Sequence, residues 1–440
     1  MSPLEHRAIK SKIADLITIK HFFQVPLSYE GHSSSNTKET ITLFARELRS
    51  LKDEDGKPAD KPYILFLQGG PGFESPRPES AEGWIKAVLA LDYRVLLLDQ
   101  RGTGLSSPVC HESLSARGTD KQFHYLKNFR ADSIVKDCEL LRSKVTGGRP
   151  WTVLGQSFGG FCTTTYLSFA PEGLSGALIT GGLPPLTQNP DQVYMALYPR
   201  VLEKNDLYHS RFPEDGQILK KLVERLESRQ EFLPTGEILS PRRFLQAGLN
   251  FGFTGGGITA LHYLLERAFR PDNDRELSFY FKSNLTNLLH FNTNPIYALL
   301  HEAIYCQGEA SNWSAERLLA HFPQFKEQAD PPLFTGEMIY PWMFEEYNCL
   351  KPLRAAAEKL AEYKDWGSLY DPSKLRNNTV PCAAALYFND MYVDRDLSKQ
   401  TASQIKNIKL WITNEFEHDG LRRNGDTIVP KLIEMLATGP

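Results

Sequence analysis

From His21 the chain alternates apolar and polar positions through HFFQVPLSY (21–29), and does so again through TITLFAREL (40–48). A period of two puts successive side chains on opposite faces of a strand. Both segments are therefore predicted to be antiparallel strands that open a sheet. In the next two apolar runs the alternation disappears. YILFLQ (63–68) runs into Gly69-Gly70-Pro71-Gly72, and YRVLLLD (93–99) runs into Gln100-Arg101-Gly102. Near-continuous apolar runs suit strands covered on both faces. Helical periodicity is predicted between them, around Trp84 to Leu91, and over Ala131 to Val145. WTVLG (151–155) reads as a strand, followed by a Gly-rich turn and a helix through Thr165, and GALITGG (176–182) as another strand. Strands alternating with helices predict an α/β class, with a mainly parallel sheet and helices on both faces. Gly31 to Thr37 and Leu51 to Lys61 are predicted to be surface hairpin turns.

After Gly182 the pattern changes. Roughly two hundred residues carry almost no strand signal but show apolar stripes at helical spacing in ILKKLVERLESR (218–229), ITALHYLLERAF (258–269), IYALLHEAIY (296–305) and LRAAAEKLAEY (353–363). Strand character returns in CAAALYF (382–388) and KLWITNEF (409–416), and IVPKLIEMLA (428–437) closes the chain as a helix. The expected organisation is an α/β catalytic domain, 1–182 with 379–440, interrupted by a helical cap at 183–378. Such a cap would sit over the carboxyl ends of the strands, where open α/β sheets bind ligands.

Composition narrows the function classes. The 440 residues carry a formal charge of −3, which leaves no electrostatic footprint for nucleic acid or for an anionic membrane. No run of 18 apolar residues predicts a transmembrane helix, and the charged N-terminal stretch lacks the apolar core of a signal peptide. Six scattered cysteines form no CxxC pair and no zinc spacing, so reduced thiols in a cytoplasmic protein are expected, with no metal.

One motif carries chemistry. Gly155-Gln156-Ser157-Phe158-Gly159 is a GxSxG at a strand-to-helix junction. A sharp turn there pushes the serine oxygen outward, and the flanking glycines avoid clashes with the neighbouring strand and helix. In folds built on this elbow the partners follow in the order Ser, Asp or Glu, His. Beyond residue 302 there are two histidines, His321 inside the helical block and His418 after the strand KLWITNEF. His418 is the expected general base. Asp390, directly after the apolar run CAAALYF, is the expected orienting acid, with Asp394 and Asp396 read as solvated loop charges. Acyl transfer also needs two backbone N–H groups for the oxyanion. Phe158, after the nucleophile, and Gly70, in the GGPG loop, are the expected donors. A plain β-turn is the other reading of GGPG.

LQGGPG, LLLDQRGTGLSSP, GQSFGG, NDMYVD and NEFEHDGLR together resemble the proline iminopeptidases, serine peptidases of the α/β-hydrolase fold. The motifs punctuate most of the catalytic part in the family's order, and the length resembles members with an enlarged helical cap. Two positions depart from the family: Gln68 stands where histidine is usual before GGPG, and Phe158 where tryptophan often follows the nucleophile. The resemblance implies release of an N-terminal proline from a peptide without any cofactor. It also implies acidic cap residues that receive the substrate's free amino group. Glu302, at the edge of an apolar helical face, and Glu337, among Phe334, Met338, Tyr340 and Trp342, are the expected pair, ahead of Glu345 and Glu346. An esterase, a lactonase or a broader aminopeptidase could use the same core, and a non-catalytic binding protein is the reading from another class. An epoxide hydrolase would place an aspartate at Ser157.

Overall fold

A computed structural model describes residues 6–29, 39–53, 61–253, 257–288, 291–326 and 329–437. Nine strands form one sheet: β1 (His6–Ile13), β2 (Leu16–Pro26), β3 (Thr40–Ser50), β4 (Tyr63–Leu67), β5 (Arg94–Asp99), β6 (Trp151–Gln156), β7 (Leu174–Thr180), β8 (Cys382–Tyr387) and β9 (Ile408–Thr413). Their spatial order is β1-β2-β3-β5-β4-β6-β7-β8-β9. The first three strands pair antiparallel and β3 meets β5 antiparallel, whereas β4 through β9 are mutually parallel.

The continuous apolar runs are explained by this position. Every residue of β4, β5, β6 and β8 is buried. Alternate side chains of one strand enter different cores. Leu65 and Leu67 of β4 join a cluster with Val135, Cys138 and Phe161 on one face. Ile64 and Phe66 join Trp84, Val88, Ile428 and Leu432 on the other. Ala131–Val145 and Phe158–Phe169 are the helices of the first face; Gly83–Ala90 and Gly420–Ala437 cover the second.

Among the described residues, no strand of this sheet lies between Thr180 and Cys382. That stretch holds helices at Asp191–Arg211, Asp215–Ser228, Ile258–Leu265, Phe279–Leu288, Pro295–Leu300 and Arg354–Glu362. Its apolar side chains, among them Tyr194, Tyr198, Phe334 and Leu353, belong to the same cluster as Leu65 and Phe161, so this segment packs on the first face of the sheet. Arg130 ties the two together. Its buried guanidinium donates to the carbonyls of Ala303, Cys306 and Gly367.

The structure departs from the sequence reading in several places. His6–Ile13 is a strand; its charged, exposed residues hide the pattern, as suits an edge. Two small hairpins occur in the segment read as strandless, Glu231–Phe232 with Ile238–Leu239 and Phe269–Arg270 with Asn273–Leu277. The second closes over Pro271-Asp272, turn chemistry with no apolar alternation to reveal it. The stripe at 296–305 is a helix only to Leu300, then a separate 3-10 turn at Ala303–Tyr305. The predicted turn at Gly31 to Thr37, and residues 54–60 of the second predicted turn, lie outside the described residues.

Candidate active site

Ser157 stands between β6 and the helix Phe158–Phe169 with φ 53° and ψ −124°, a left-handed conformation that costs energy for a residue with a Cβ. It is held there by its neighbours. The Ser157 N–H donates to Thr180 O at 3.0 Å, and its carbonyl accepts from Gly160 N–H at 2.7 Å. The glycine requirement is steric. A Cβ on Gly159 would lie 1.9 Å from Leu67 O, and one on Gly155 would lie 2.3 Å from Gly159 O. Phe158 is the first residue of the helix, so its N–H has no carbonyl a turn earlier to bind and sits at the positive end of the helix dipole.

The GGPG loop passes directly over the serine. A Cβ on Gly69 would come within 3.0 Å of Ser157 Cβ and 3.6 Å of its Oγ. Gly70, with φ +136°, lines the same cavity. One residue of the LDQRGTG motif is tied to the start of this loop, and the next is tied elsewhere. Gln100 Nε2 donates to Gln68 O at 2.9 Å. Arg101 is fully buried, with Nε and Nη2 both 2.7 Å from Asp137 and further bonds to the carbonyls of Pro26, Leu27 and Asn128.

His418 follows β9 and is buried. Its Nδ1 lies 2.7 Å from Asp390 Oδ2. Asp390 Oδ1 accepts from the backbone N–H groups of Tyr392 at 2.8 Å and Val393 at 3.1 Å. One carboxylate oxygen is thus fixed by the turn after β8, and the other orients the imidazole. Burial by itself depresses the imidazole's pKa. The charge and hydrogen bond of Asp390 outweigh it, helped by Glu337 and Asp419, so His418 titrates above its ordinary value. An imidazole held by Nδ1 keeps Nε2 for proton transfer.

A cavity of about 270 Å³ joins these groups. Its lining includes Gly69, Gly70, Ser157 and His418 from the sheet side, and Asn294, Tyr297 and Glu337 from the helical segment. The Tyr297 hydroxyl donates to Glu337 Oε1 at 2.5 Å, and His301 Nε2 lies 3.7 Å from Glu337 Oε2. Burial pushes the Glu337 carboxyl up to about 7, although the Tyr297 bond and the nearby His418 pull the other way. The same burial pushes His301 down to about 4, so this neighbour is neutral near pH 7. Glu337 therefore has no cationic side chain bonded to it and faces the cavity as a carboxyl poised to ionise beside a positive charge.

Glu302 does not line this cavity. Its carboxylate turns into the helical segment and accepts from the N–H groups of Ser314 at 3.1 Å and Ala315 at 3.0 Å. The backbone stays right-handed through His301 and Glu302, and the carboxylate is taken up by the N–H groups that open the helix at Ser314. Asp394 is not a solvated charge: it caps the helix Arg395–Ser403 and pairs with Arg200 at 3.1 Å, while Asp396 is a surface charge bonded to Arg395. Glu345 pairs with Arg354, Glu346 accepts from Ser240 and Arg242, and His321 is exposed. None of these lines the cavity.

Phe73, Asn294, Tyr297, Tyr392 and Arg422 line the cavity without having been singled out from sequence. Three of them had a signal: Phe73 directly follows GGPG, Tyr392 lies in NDMYVD and Arg422 in NEFEHDGLR. Tyr297 had none. It arrives because the GGPG loop abuts its helix, and a Cβ on Gly72 would lie 2.9 Å from Tyr297 N.

Among the described residues, no group of His, Cys, Asp and Glu is arranged to hold a metal ion, and no helix is long and apolar enough to cross a membrane.

Comparison with known proteins bears on this arrangement. The alpha/beta hydrolase fold family matches residues 62–274. A proline iminopeptidase of Aeromonas sobria is 46% identical over 416 residues, covering 94% of this chain and 95% of that protein. The proline iminopeptidase aneH of Aspergillus aculeatus is 37% identical over 424 residues, covering 94% and 92%. Among solved structures, Rv0554 from Mycobacterium tuberculosis aligns with 94% of this chain and 98% of its own at 15% identity and a TM-score of 0.42, too loose a likeness to carry an argument. With two such relatives matched over nearly their full length at 46% and 37% identity, and the elbow and sheet order described above, the chain belongs to the proline iminopeptidase family of α/β-hydrolases.

Proposed function

We propose that this protein is a serine aminopeptidase that releases N-terminal proline from peptides. The observation that carries the reading is the largely buried Glu337 carboxyl on the wall of the cavity that also holds Ser157 and His418. A neutral-ester hydrolase has no use for an acid there. A substrate with a free amino end supplies the cation that makes its ionisation favourable.

Ser157 is the nucleophile, His418 the general base and Asp390 the group that orients it. Glu337 receives the substrate's ammonium, and the proline ring packs among Phe73, Phe291 and Tyr297. His418 Nε2 takes the Ser157 proton as Oγ bonds to the prolyl carbonyl carbon. The oxyanion rests on the N–H groups of Gly70 and Phe158. The C–N bond then breaks, and the leaving amine takes the proton from His418. Water, deprotonated by the same imidazole, attacks the prolyl ester, releasing proline and returning the proton to Ser157. Glu302 is assigned to cap integrity instead of substrate. Only one residue leaves per turnover, because the carboxylate marks the chain's start.

Residues 183–378 act as the cap in this reading, supported by the Arg130 clamp and by Tyr297 and Glu337 on the cavity wall. A reducing, cytoplasmic setting is supported by six cysteines that are all free.

The test is hydrolysis of proline-β-naphthylamide beside its N-acetylated form, with wild type and Ser157→Ala. Cleavage of the free amine alone, lost in the variant, is expected. Hydrolysis of simple esters with neither amide touched would overturn the prolyl assignment.

A further inference from the structure

We infer that Arg422 receives the terminal carboxylate of the leaving peptide, so that this aminopeptidase favours short peptides over long ones; the inference rests on the prolyl reading of the same cavity.

Besides the phenols of Tyr297 and Tyr392, the cavity wall carries three ionisable side chains among the described residues: Glu337, His418 and Arg422. The first two have roles in the reaction, whereas Arg422 does not. It is an exposed guanidinium, and no ion pair engages it among the described residues. The acid beside it in sequence, Asp419, is instead paired with Arg423 at 3.3 Å. A guanidinium lining a reaction cavity without a partner is a site for an anion, and its planar fork suits a carboxylate.

Position says which end of the substrate it meets. The amino end is held by Glu337, from the helical segment. The leaving amine must stand at His418, which protonates it. Arg422 lies four residues beyond His418, at the start of the helix Gly420–Ala437, and lines the same cavity; the proposed role puts it on the leaving-group side. In a dipeptide the terminal carboxylate carbon lies about 4 Å beyond the scissile carbonyl carbon, and each further residue adds about 3.5 Å. An arginine side chain at the rim reaches carboxylates at that range in dipeptides and tripeptides. Longer chains carry theirs past it. Opposite charges on the wall of one cavity then read a short zwitterion, amine at Glu337 and carboxylate at Arg422.

The experiment compares kcat/KM for Pro-Gly with that for Pro-Gly-amide, and Pro-Gly-Gly with its amide, in wild type, Arg422→Ala and Arg422→Lys. Each variant supplies its own acid-to-amide ratio, so a general loss of activity does not obscure the readout. Wild type is expected to favour the free acid by about five- to tenfold in at least one pair, the ratio to fall to about one in Arg422→Ala, and Arg422→Lys to keep part of it. A ratio equal in wild type and Arg422→Ala overturns the inference. Wild type that leaves proline-β-naphthylamide untouched overturns the prolyl reading itself, and the inference with it, which tells the two failures apart.

Discussion

Tyr297 donates its phenolic hydrogen to Glu337 Oε1 across 2.5 Å, on the wall of the cavity that holds Ser157. The bond favours the charged carboxylate against a burial that pushes it up to about 7, with His418 helping and Asp390 opposing. In the proposed mechanism, amine binding needs Glu337 ionised. Proton abstraction needs His418 neutral, and its pKa also stands above the ordinary 6.5. Both demands act in the same direction, so kcat/KM for a proline substrate is expected to fall at least about tenfold per pH unit on the acid side of 7. Tyr297→Phe removes a bond to the charged form and should move that acid limb upward by about one pH unit. A pH profile of both proteins with proline-β-naphthylamide checks it, and an unmoved limb would take Glu337 out of the profile.

Glu337 also links folding to pH. Its folded pKa of about 7 lies above the ordinary 4.5, so folding favours the neutral acid. The stability this contributes is complete below about 4.5 and is lost as pH rises through 7. Glu337→Gln should therefore narrow the stability difference between pH 5 and pH 8 by about 3 kcal/mol, read from urea unfolding. The same variant should lower kcat/KM for free-amine substrates by about 10- to 100-fold. An unchanged pH difference would show that the carboxyl is hydrated in the folded protein.

Asp390 holds His418 by one oxygen and the backbone of Tyr392 and Val393 by the other. Asp390→Asn keeps the shape of the acid but offers the imidazole the wrong partner, which favours the wrong tautomer. A fall in kcat of about 10³- to 10⁴-fold with a KM within severalfold of wild type is expected. Steady-state kinetics separates this from a folding defect, because a merely unfolded fraction would lower the apparent kcat in proportion to lost circular-dichroism signal.

Glu302 and Glu337 should behave differently when changed. Glu302 accepts two backbone N–H groups at Ser314 and Ala315 inside the helical segment. Glu302→Gln should cost about 1–3 kcal/mol of stability while leaving KM for proline substrates within about twofold. Thermal unfolding and kinetics on one preparation test it. A large KM increase at unchanged stability would return Glu302 to the substrate.

Some of the site was legible because its requirements are local. Ser157 announces itself through glycines whose Cβ atoms would strike the chain within a few residues or on the next strand. Asp390 and His418 lie just after apolar runs that become β8 and β9, and strand ends in a parallel sheet are where such groups must sit. Gln100 and Arg101 belonged to a visible motif, although no spacing rule connects the first to Gln68 or the second to Asp137.

The helical segment was less legible, and Glu302 shows why. A helical wheel gives the face on which Glu302 stands but not what packs there, and in the fold the N–H groups of Ser314 and Ala315 take its carboxylate. His6–Ile13 was missed for a related reason: an edge strand owes its place to one neighbour, β2, and needs no apolar pattern of its own. By itself the sequence determined the α/β class, the parallel core and the positions of Ser157, Asp390 and His418 along it, because continuous burial and strand-end turns leave periodic and glycine signals. Tertiary structure alone decided which acid faces the cavity, and that Tyr297 and Arg422 join it. Those choices depend on how residues more than a hundred positions apart pack over the sheet, where each contact is specific and no local pattern records it.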